Sequence, residues 1–173
     1  GNATNMALFV GNSNLRIHAV GYENRHATAA EMSRMTGMLT ESMQEGAFGL
    51  STGLTYVPSM NSSTEELVAL CRAMAPYGGI YNSHMRNESD CVMEAIREVI
   101  TIAERSGCKG HISHLKVSGK RNHGKAGECL ALIHEANARG VDVSYDVYPY
   151  TAGSCGLRTL LPPEILVRET VFT

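Results

Sequence analysis

A chain of 173 residues is long enough for one domain with a buried core, and 43% apolar with 18% charged residues is typical of a globular protein. The net charge of −2 and the absence of a basic tract give no reason to expect nucleic acid as a partner. No apolar stretch approaches the roughly 20 residues of a membrane span, so we expect a cytoplasmic protein with no membrane partner. Five cysteines without CxxC spacing predict no disulfide framework.

The N-terminal part predicts strand structure followed by a helix. Residues 7–10 and 17–20 have the apolar pattern of a strand and its continuation. Thr28 and Glu31 form a capping box, in which each side chain can bond the backbone of the other residue. This box opens a helix through about Met43, whose methionines share one side and are expected to fill the core.

From residue 47 onwards, a strand-like run, a loop and a helix recur about every 31 residues. The runs are residues 47–51, 79–84, 110–115 and 141–145, and their starts lie 32, 31 and 31 residues apart. A capping box at Ser63 opens the first helix between them, and Ser89 or Asp90 is expected to cap the second. The three helices are expected to end at glycines, namely Gly78, Gly107 and Gly140. This regularity predicts consecutive βα units.

Alternating strands and helices predict a parallel sheet with right-handed crossovers. A doubly wound open sheet and a (β/α)8 TIM-type barrel both fit this alternation. We favour the barrel because no glycine-rich phosphate loop follows any strand and the informative polar residues lie at the strand ends. A complete barrel takes about 250 residues. The predicted fold class is therefore α/β, a partial (β/α)8 barrel.

His84 and His114 end two successive strand-like runs, 30 residues apart. In a parallel sheet both imidazoles emerge at the same end of neighbouring strands, where such folds place their chemistry. Neutral imidazole is the commonest transition-metal ligand, so the pair predicts a shared metal site. A buried, hydrogen-bonded histidine is the alternative for each. The other histidines are interpreted as structural, including His111, which is expected to point away from His114.

Charged and phenolic side chains follow the same strand ends. Arg86 and Lys116 each lie two residues beyond one of the two histidines. Cations at such positions suit a substrate carboxylate, although a loop ion pair such as Arg86 with Glu88 explains them equally well. Tyr56 and Tyr148 fall at the same end of the sheet, where a phenol could polarise a carbonyl or orient a carboxylate. Both tyrosines could equally be packing residues.

At these residues the chain resembles the N-acyl-D-amino-acid deacylases, the D-aminoacylase family of the amidohydrolase superfamily. The similar segments are residues 46–56 (GAFGLSTGLTY), 83–88 (SHMRNE), 112–116 (ISHLK) and 146–151 (DVYPYT), with 21–25 (GYENR) and 160–163 (LLPP) also similar. The resemblance runs nearly from end to end. It implies that the chain corresponds to a central fragment of the barrel, about strands 3 to 7 with the intervening helices.

The resemblance also implies the chemistry of the site. His84 and His114 match the metal-binding histidines of the fifth and sixth barrel strands, and the implied cofactor is zinc. The substrate-binding candidates are Lys116, Tyr148, Tyr56, Arg86 and Ser154, the last three by a weaker match. The implied reaction is hydrolysis of an N-acyl-D-amino acid to a carboxylate and a D-amino acid, with a last-strand aspartate as general base.

Parts of the family pattern are absent from the sequence. The first-strand His-x-His pair does not occur, and by the resemblance the bridging cysteine lies upstream and the last-strand aspartate downstream of these residues. Asp146 belongs to the seventh-strand segment and is not that aspartate. We therefore interpret residues 1–173 as part of an amidohydrolase barrel domain and assign no catalytic residue. Because tetrahedral zinc takes three or four protein ligands, we expect weak metal binding and no deacylase activity from the chain alone.

Two other functions stay open. The protein could be another amidohydrolase, such as a hydantoinase-like cyclic amidase, or a truncated, non-catalytic module for binding or assembly. A partial barrel would expose two sheet edges, which favour self-association.

Overall fold

The strands form one parallel sheet in a computed structural model that describes residues 3–157; the similar segment at 160–163 lies outside the described residues. In chain order they are β1 (Phe9–Gly11), β2 (Gly49–Gly53), β3 (Ile80–His84), β4 (Lys109–Ile112) and β5 (Val143–Tyr145). Each strand pairs with the next along the chain. A doubly wound sheet reverses its order at a switch point, and this sheet does not. The predicted α/β class is confirmed, and the sequential order agrees with a partial (β/α)8 barrel.

Helices make every crossover: α1 (Asn12–Ala19) and α2 (Ala29–Gln44), then α3 (Thr64–Met74), α4 (Val92–Ser106) and α5 (Ala126–Ala138). The predicted capping boxes at Thr28 and Ser63 open α2 and α3, with both reciprocal hydrogen bonds present in each. Gly107 ends α4 in the left-handed conformation, at φ 73°. Within residues 3–157, no helix has the length and apolar character needed to cross a membrane.

Residues 17–20, which we expected to continue a strand, lie in α1 or at its C-cap. Asn12, in the first turn of this helix, donates to two serine hydroxyls at 2.9 Å. One turn later the wholly buried Arg16 donates to the Glu66 carboxylate of α3 at 3.2 Å. These tertiary contacts hold the segment in a helix, because the strand preference of a residue such as Ile17 is weak beside packing.

The cap of α4 also differs from the prediction. Its N-cap residue is Cys91, which makes no side-chain capping bond, and neither Ser89 nor Asp90 fills this role. Instead, the Asn87 Oδ1 atom accepts from the backbone N–H groups of Ser89 and Cys91, at 2.8 and 3.1 Å. The Asp90 carboxylate binds the Arg121 guanidinium, which takes it away from the helix end.

The helices cover one face of the sheet and form the core with it. The apolar side of α4 is buried, as are the α2 methionines Met35 and Met43. The sheet contributes Leu50, Tyr81, Ile112 and Val143 to the same core. The opposite, inner face borders an open cleft of about 450 Å³ that is lined by Phe9, Ile80, Asn82, Lys109, His111, Asp142 and Ser144. The ends of the strands on this inner face carry the candidate site.

Candidate metal centre

The ends of β3 and β4 bring His84 and His114 together. His84 is the last residue of β3, and His114 lies two residues beyond β4. The Nδ1 atom of His84 lies 3.0 Å from the Nε2 atom of His114, and the rings meet edge to face with centroids 4.7 Å apart. Two imidazoles in direct contact at neighbouring strand ends are an arrangement that one metal ion can bridge.

The ring of His114 reaches His84 because of a backbone turn. His114 has φ 43°, the single positive φ among the non-glycine residues that the structure describes. Its N–H donates to the Asp146 Oδ1 atom at 2.6 Å, and the N–H of Leu115 donates to the Asp146 carbonyl at 2.8 Å. The other carboxylate oxygen of Asp146 lies 2.9 Å from His111 Nε2. Asp146 therefore stabilises a conformation that costs roughly 1–2 kcal/mol for an L-residue.

Glu88 is a third candidate ligand that we did not expect from the sequence. Its Oε1 atom lies 2.9 Å from His114 Nδ1 and 2.6 Å from Lys116 Nζ, yet this buried oxygen receives no hydrogen bond of good geometry. The ligand atoms of His84, Glu88 and His114 all lie within 4.8 Å of one another. Two imidazoles and one carboxylate form a known zinc donor set. Residues 85–88 form no helix, so the spacing of four residues between His84 and Glu88 was not a signal in the sequence.

The surroundings of His84 favour the neutral form that binds metals. Burial is the main cause that lowers the pKa of His84, and His114 and Lys116 lower it further, while Glu88 acts in the opposite direction. The second ring nitrogen of His84 lies 2.9 Å from the Thr55 hydroxyl, which fixes the ring orientation. A hydrogen bond at the outer nitrogen is a common way to orient a histidine ligand.

Two of the predicted substrate-binding residues, Lys116 and Tyr56, contact the histidines, and a third, Tyr148, lies beside Lys116. Lys116 Nζ lies 2.9 Å from His114 Nδ1 and 5.6 Å from the centroid of the Tyr148 ring. The Tyr56 ring centroid lies 5.1 Å from that of His84. Lys116 and the Tyr56 ring therefore border the two histidines, and the Tyr148 ring borders Lys116. A cation at this position can receive the carboxylate of a small substrate.

Arg86 and Ser154 occupy other positions. The Arg86 guanidinium donates twice to the Glu98 carboxylate, at 2.9 and 3.0 Å, and to two backbone carbonyls, at 2.9 Å each. Its ion-pair partner is therefore Glu98, and not Glu88 as the loop alternative suggested. Ser154 is exposed, and in the described part of the chain it makes no hydrogen bond to the histidine cluster.

Replacing Asp146 by alanine should weaken divalent-metal binding by about 10- to 100-fold, the usual cost of losing a group that orients a ligand. The carboxylate holds the His114 backbone, and alanine offers no acceptor to replace it. Asp146→Asn keeps one acceptor oxygen and should retain most of the affinity. Competition with a chromophoric chelator measures the effect.

Asp142 provides the control for this change, because it is exposed on the same face and pairs with Lys109 at 3.6 Å. Asp142→Ala should leave the affinity unchanged. Equal metal affinities for Asp146→Ala and the unchanged chain would show that Asp146 does not position His114.

Comparison with known proteins agrees with this geometry. No family model matches the chain. The D-aminoacylase of Alcaligenes xylosoxydans xylosoxydans is 42% identical over 156 residues, which are 90% of this chain and 32% of that protein. A crystal structure of D-aminoacylase, described as defining a novel subset of amidohydrolases, matches with a TM-score of 0.84 at 42% identity. The match covers 87% of this chain and 32% of the D-aminoacylase chain.

A second solved structure includes a metal. The N-acyl-D-glutamate deacylase of Bordetella bronchiseptica, in complex with zinc and a phosphonate that mimics the tetrahedral intermediate, has a TM-score of 0.81 at 40% identity; the match covers 83% of this chain and 30% of that one. This chain thus spans about a third of the length of the proteins that it matches. Over that length it is a relative of the N-acyl-D-amino-acid deacylases, the D-aminoacylase family of the amidohydrolase superfamily.

Proposed function

We propose that this protein is a zinc-dependent deacylase that hydrolyses the amide bond of N-acyl-D-amino acids. Residues 1–173 form part of its amidohydrolase barrel domain. The observation that carries the proposal is the direct contact between His84 and His114, with the Glu88 carboxylate beside them, in a chain related to deacylases of this class.

The residues present suit zinc. His84, His114 and Glu88 would hold the ion, since the buried Glu88 Oε1 atom faces only cationic or ring nitrogens and has no well-aligned donor. Bound zinc supplies polarisation of an acyl carbonyl and activation of a water molecule. The Thr55 hydroxyl and the Asp146 carboxylate orient the two imidazoles from outside the cluster.

Lys116 is the candidate for binding the substrate carboxylate, and its Nζ atom also pairs with Glu88 Oε1 at 2.6 Å. Its Nζ atom lies 2.9 Å from His114 Nδ1, so a carboxylate bound there has its neighbouring amide beside the histidines. The ring of Tyr148 lies below this ammonium group, and the ring of Tyr56 lies against His84. In this proposal Lys116 binds and orients the substrate beside the two tyrosine rings. Arg86 and Ser154 are weaker substrate-binding candidates.

The group that accepts the proton of the attacking water is not assigned within these residues. We therefore expect no deacylase activity from the 173-residue chain alone. We also expect weak zinc binding by it, because the resemblance implies that further ligands, the first-strand histidine pair among them, belong to segments outside this sequence. The protein is proposed to be cytoplasmic, with a small-molecule substrate and neither nucleic acid nor a membrane as a partner. The open edges at β1 and β5, with exposed Leu8 and Val147 beside them, support self-association of the chain.

A substrate panel tests the proposed function. N-acetyl-D-amino acids, their L enantiomers and cyclic hydantoins are compared with the whole protein at equal zinc content. We expect the highest kcat/KM for a D compound. Preference for hydantoins would favour the cyclic amidase, and no hydrolysis of any compound by zinc-loaded protein would favour the non-catalytic module.

A further inference from the structure

Three polar side chains on the inner face of the sheet form a row of contacts that ends at His114. His111 on β4 pairs in register with Ser144 on β5, and both line the inner cleft. Asp146 lies two residues beyond Ser144, so its side chain points to the same face of the sheet. Two neighbouring strands thus bring these groups together directly beside the candidate metal centre.

The hydrogen bonds in this row have a definite direction. The Nε2 atom of His111 lies 2.9 Å from the Asp146 Oδ2 atom, and because a carboxylate only accepts, this nitrogen donates. In the neutral ring the Nδ1 atom then accepts from the Ser144 hydroxyl, at 2.8 Å. The Gly110 carbonyl, another acceptor near this hydroxyl, lies farther away at 3.4 Å. Ser144 therefore favours the tautomer of His111 that binds Asp146.

Asp146 needs a second partner to keep its side-chain conformation. Its side chain is 57% exposed, and its Oδ1 atom accepts from the His114 N–H at 2.6 Å. With that bond alone, the carboxylate would be free to turn toward water. The bond from His111 holds the other oxygen and so fixes the plane of the carboxylate. Lys109, a cation on the same face, pairs instead with Asp142 at 3.6 Å.

We propose that His111 is a positioning residue of the metal centre, which acts through Asp146 to hold the backbone turn at His114. This turn has a positive φ of 43°, a conformation that costs an L-residue free energy and therefore depends on its anchor. The turn carries the His114 ring to within 3.0 Å of His84. The inference rests on the proposed function, because it takes His114 as a ligand of zinc.

The zinc affinity of four forms of the whole protein tests the proposal: unchanged, His111→Leu, Asp146→Ala and the double variant. Competition with a chromophoric chelator gives each Kd. We expect His111→Leu to weaken binding by about tenfold, the lower end of the effect of losing a group that orients a ligand. Because His111 acts through Asp146, the double variant should bind no more weakly than Asp146→Ala. An unchanged affinity of His111→Leu overturns the proposal, and so do losses that add in the double variant.

A conservative variant separates this role from simple packing. The amide introduced by His111→Gln can donate from near the position of the imidazole Nε2 atom, whereas a leucine of similar size cannot. Its affinity should therefore return to within about threefold of the unchanged protein, a fraction of one hydrogen bond. If His111→Gln binds zinc as weakly as His111→Leu, the proposal is overturned. Lys109→Ala, on the same strand and face, is the control and should leave the affinity unchanged.

Ser144→Ala keeps the test decisive if the leucine variant does not fold. Without the hydroxyl, the ring loses the bond that favours the donating tautomer, so binding should weaken by roughly threefold. This loss should disappear in the Asp146→Ala background, and an unchanged affinity of Ser144→Ala would then overturn the proposal. All affinities are measured without substrate. A protein that binds zinc but hydrolyses no N-acyl-D-amino acid therefore refutes the proposed function and leaves the comparison of affinities intact.

Discussion

Replacing His114 by alanine is expected to lower kcat/KM for an N-acyl-D-amino acid by about a thousandfold or more. A bound metal contributes several kcal/mol to transition-state stabilisation, and each 1.36 kcal/mol or so is a factor of ten in rate. The Nε2 atom of His114 lies 3.0 Å from His84, and alanine offers no donor in its place. The measurement is steady-state hydrolysis by the whole protein, together with its zinc content.

The matched control is His123→Ala, since His123 lies exposed in the loop before α5. This variant should keep both the rate and the zinc. A His114→Ala protein with full zinc content and an unchanged rate would show that the histidine pair is structural, the alternative that the sequence left open.

Replacing Gly49 by alanine is expected to prevent stable folding, with a loss above about 4 kcal/mol in the free energy of unfolding. A β-carbon at this position would lie 2.0 Å from the carbonyl oxygen and 2.6 Å from the nitrogen of Ile80, its partner on β3. These are backbone atoms and cannot turn aside as a side chain can. Residue 49 also has φ 154°, which other residues rarely adopt. Urea unfolding followed by circular dichroism measures the effect.

Gly37→Ala provides the opposite case. Gly37 lies inside α2 with no atom within 4 Å of an added β-carbon, so the change should stabilise the chain by about 0.5–1 kcal/mol. If Gly49→Ala unfolded at the same urea concentration as the unchanged chain, this result would contradict the close approach of β2 to β3 at residue 49.

Local signals were sufficient to predict much of the fold. The capping boxes at Thr28 and Ser63 and the glycine after α4 act within a few residues, so their sequence pattern predicts helix ends directly. The repeat of about 31 residues likewise reflects one βα unit after another. Where contacts between residues far apart in the sequence determine the local structure, the predictions were wrong. Residues 17–20 are helical because of the buried pairing of Arg16 with Glu66.

In the candidate site, too, local signals were predictable from the sequence and the effects of distant contacts were not. The parallel sheet predicts that His84 and His114 emerge at one end, and they do. The sequence gives no direct sign of the turn at His114, which depends on the Asp146 carboxylate 32 residues further along. His111 precedes this turn, in β4, and lies beside Asp146 on the inner face. The position of Glu88 beside the histidines depends on the packing of the loop after β3.

Removal and return of the metal tests the central claim most directly. The whole protein is stripped with a chelator, assayed for hydrolysis of an N-acetyl-D-amino acid, and assayed again after titration with zinc. The proposed centre of His84, Glu88 and His114 predicts that the rate falls to background and returns in proportion to bound zinc. Hydrolysis at an unchanged rate by the metal-free protein would contradict it.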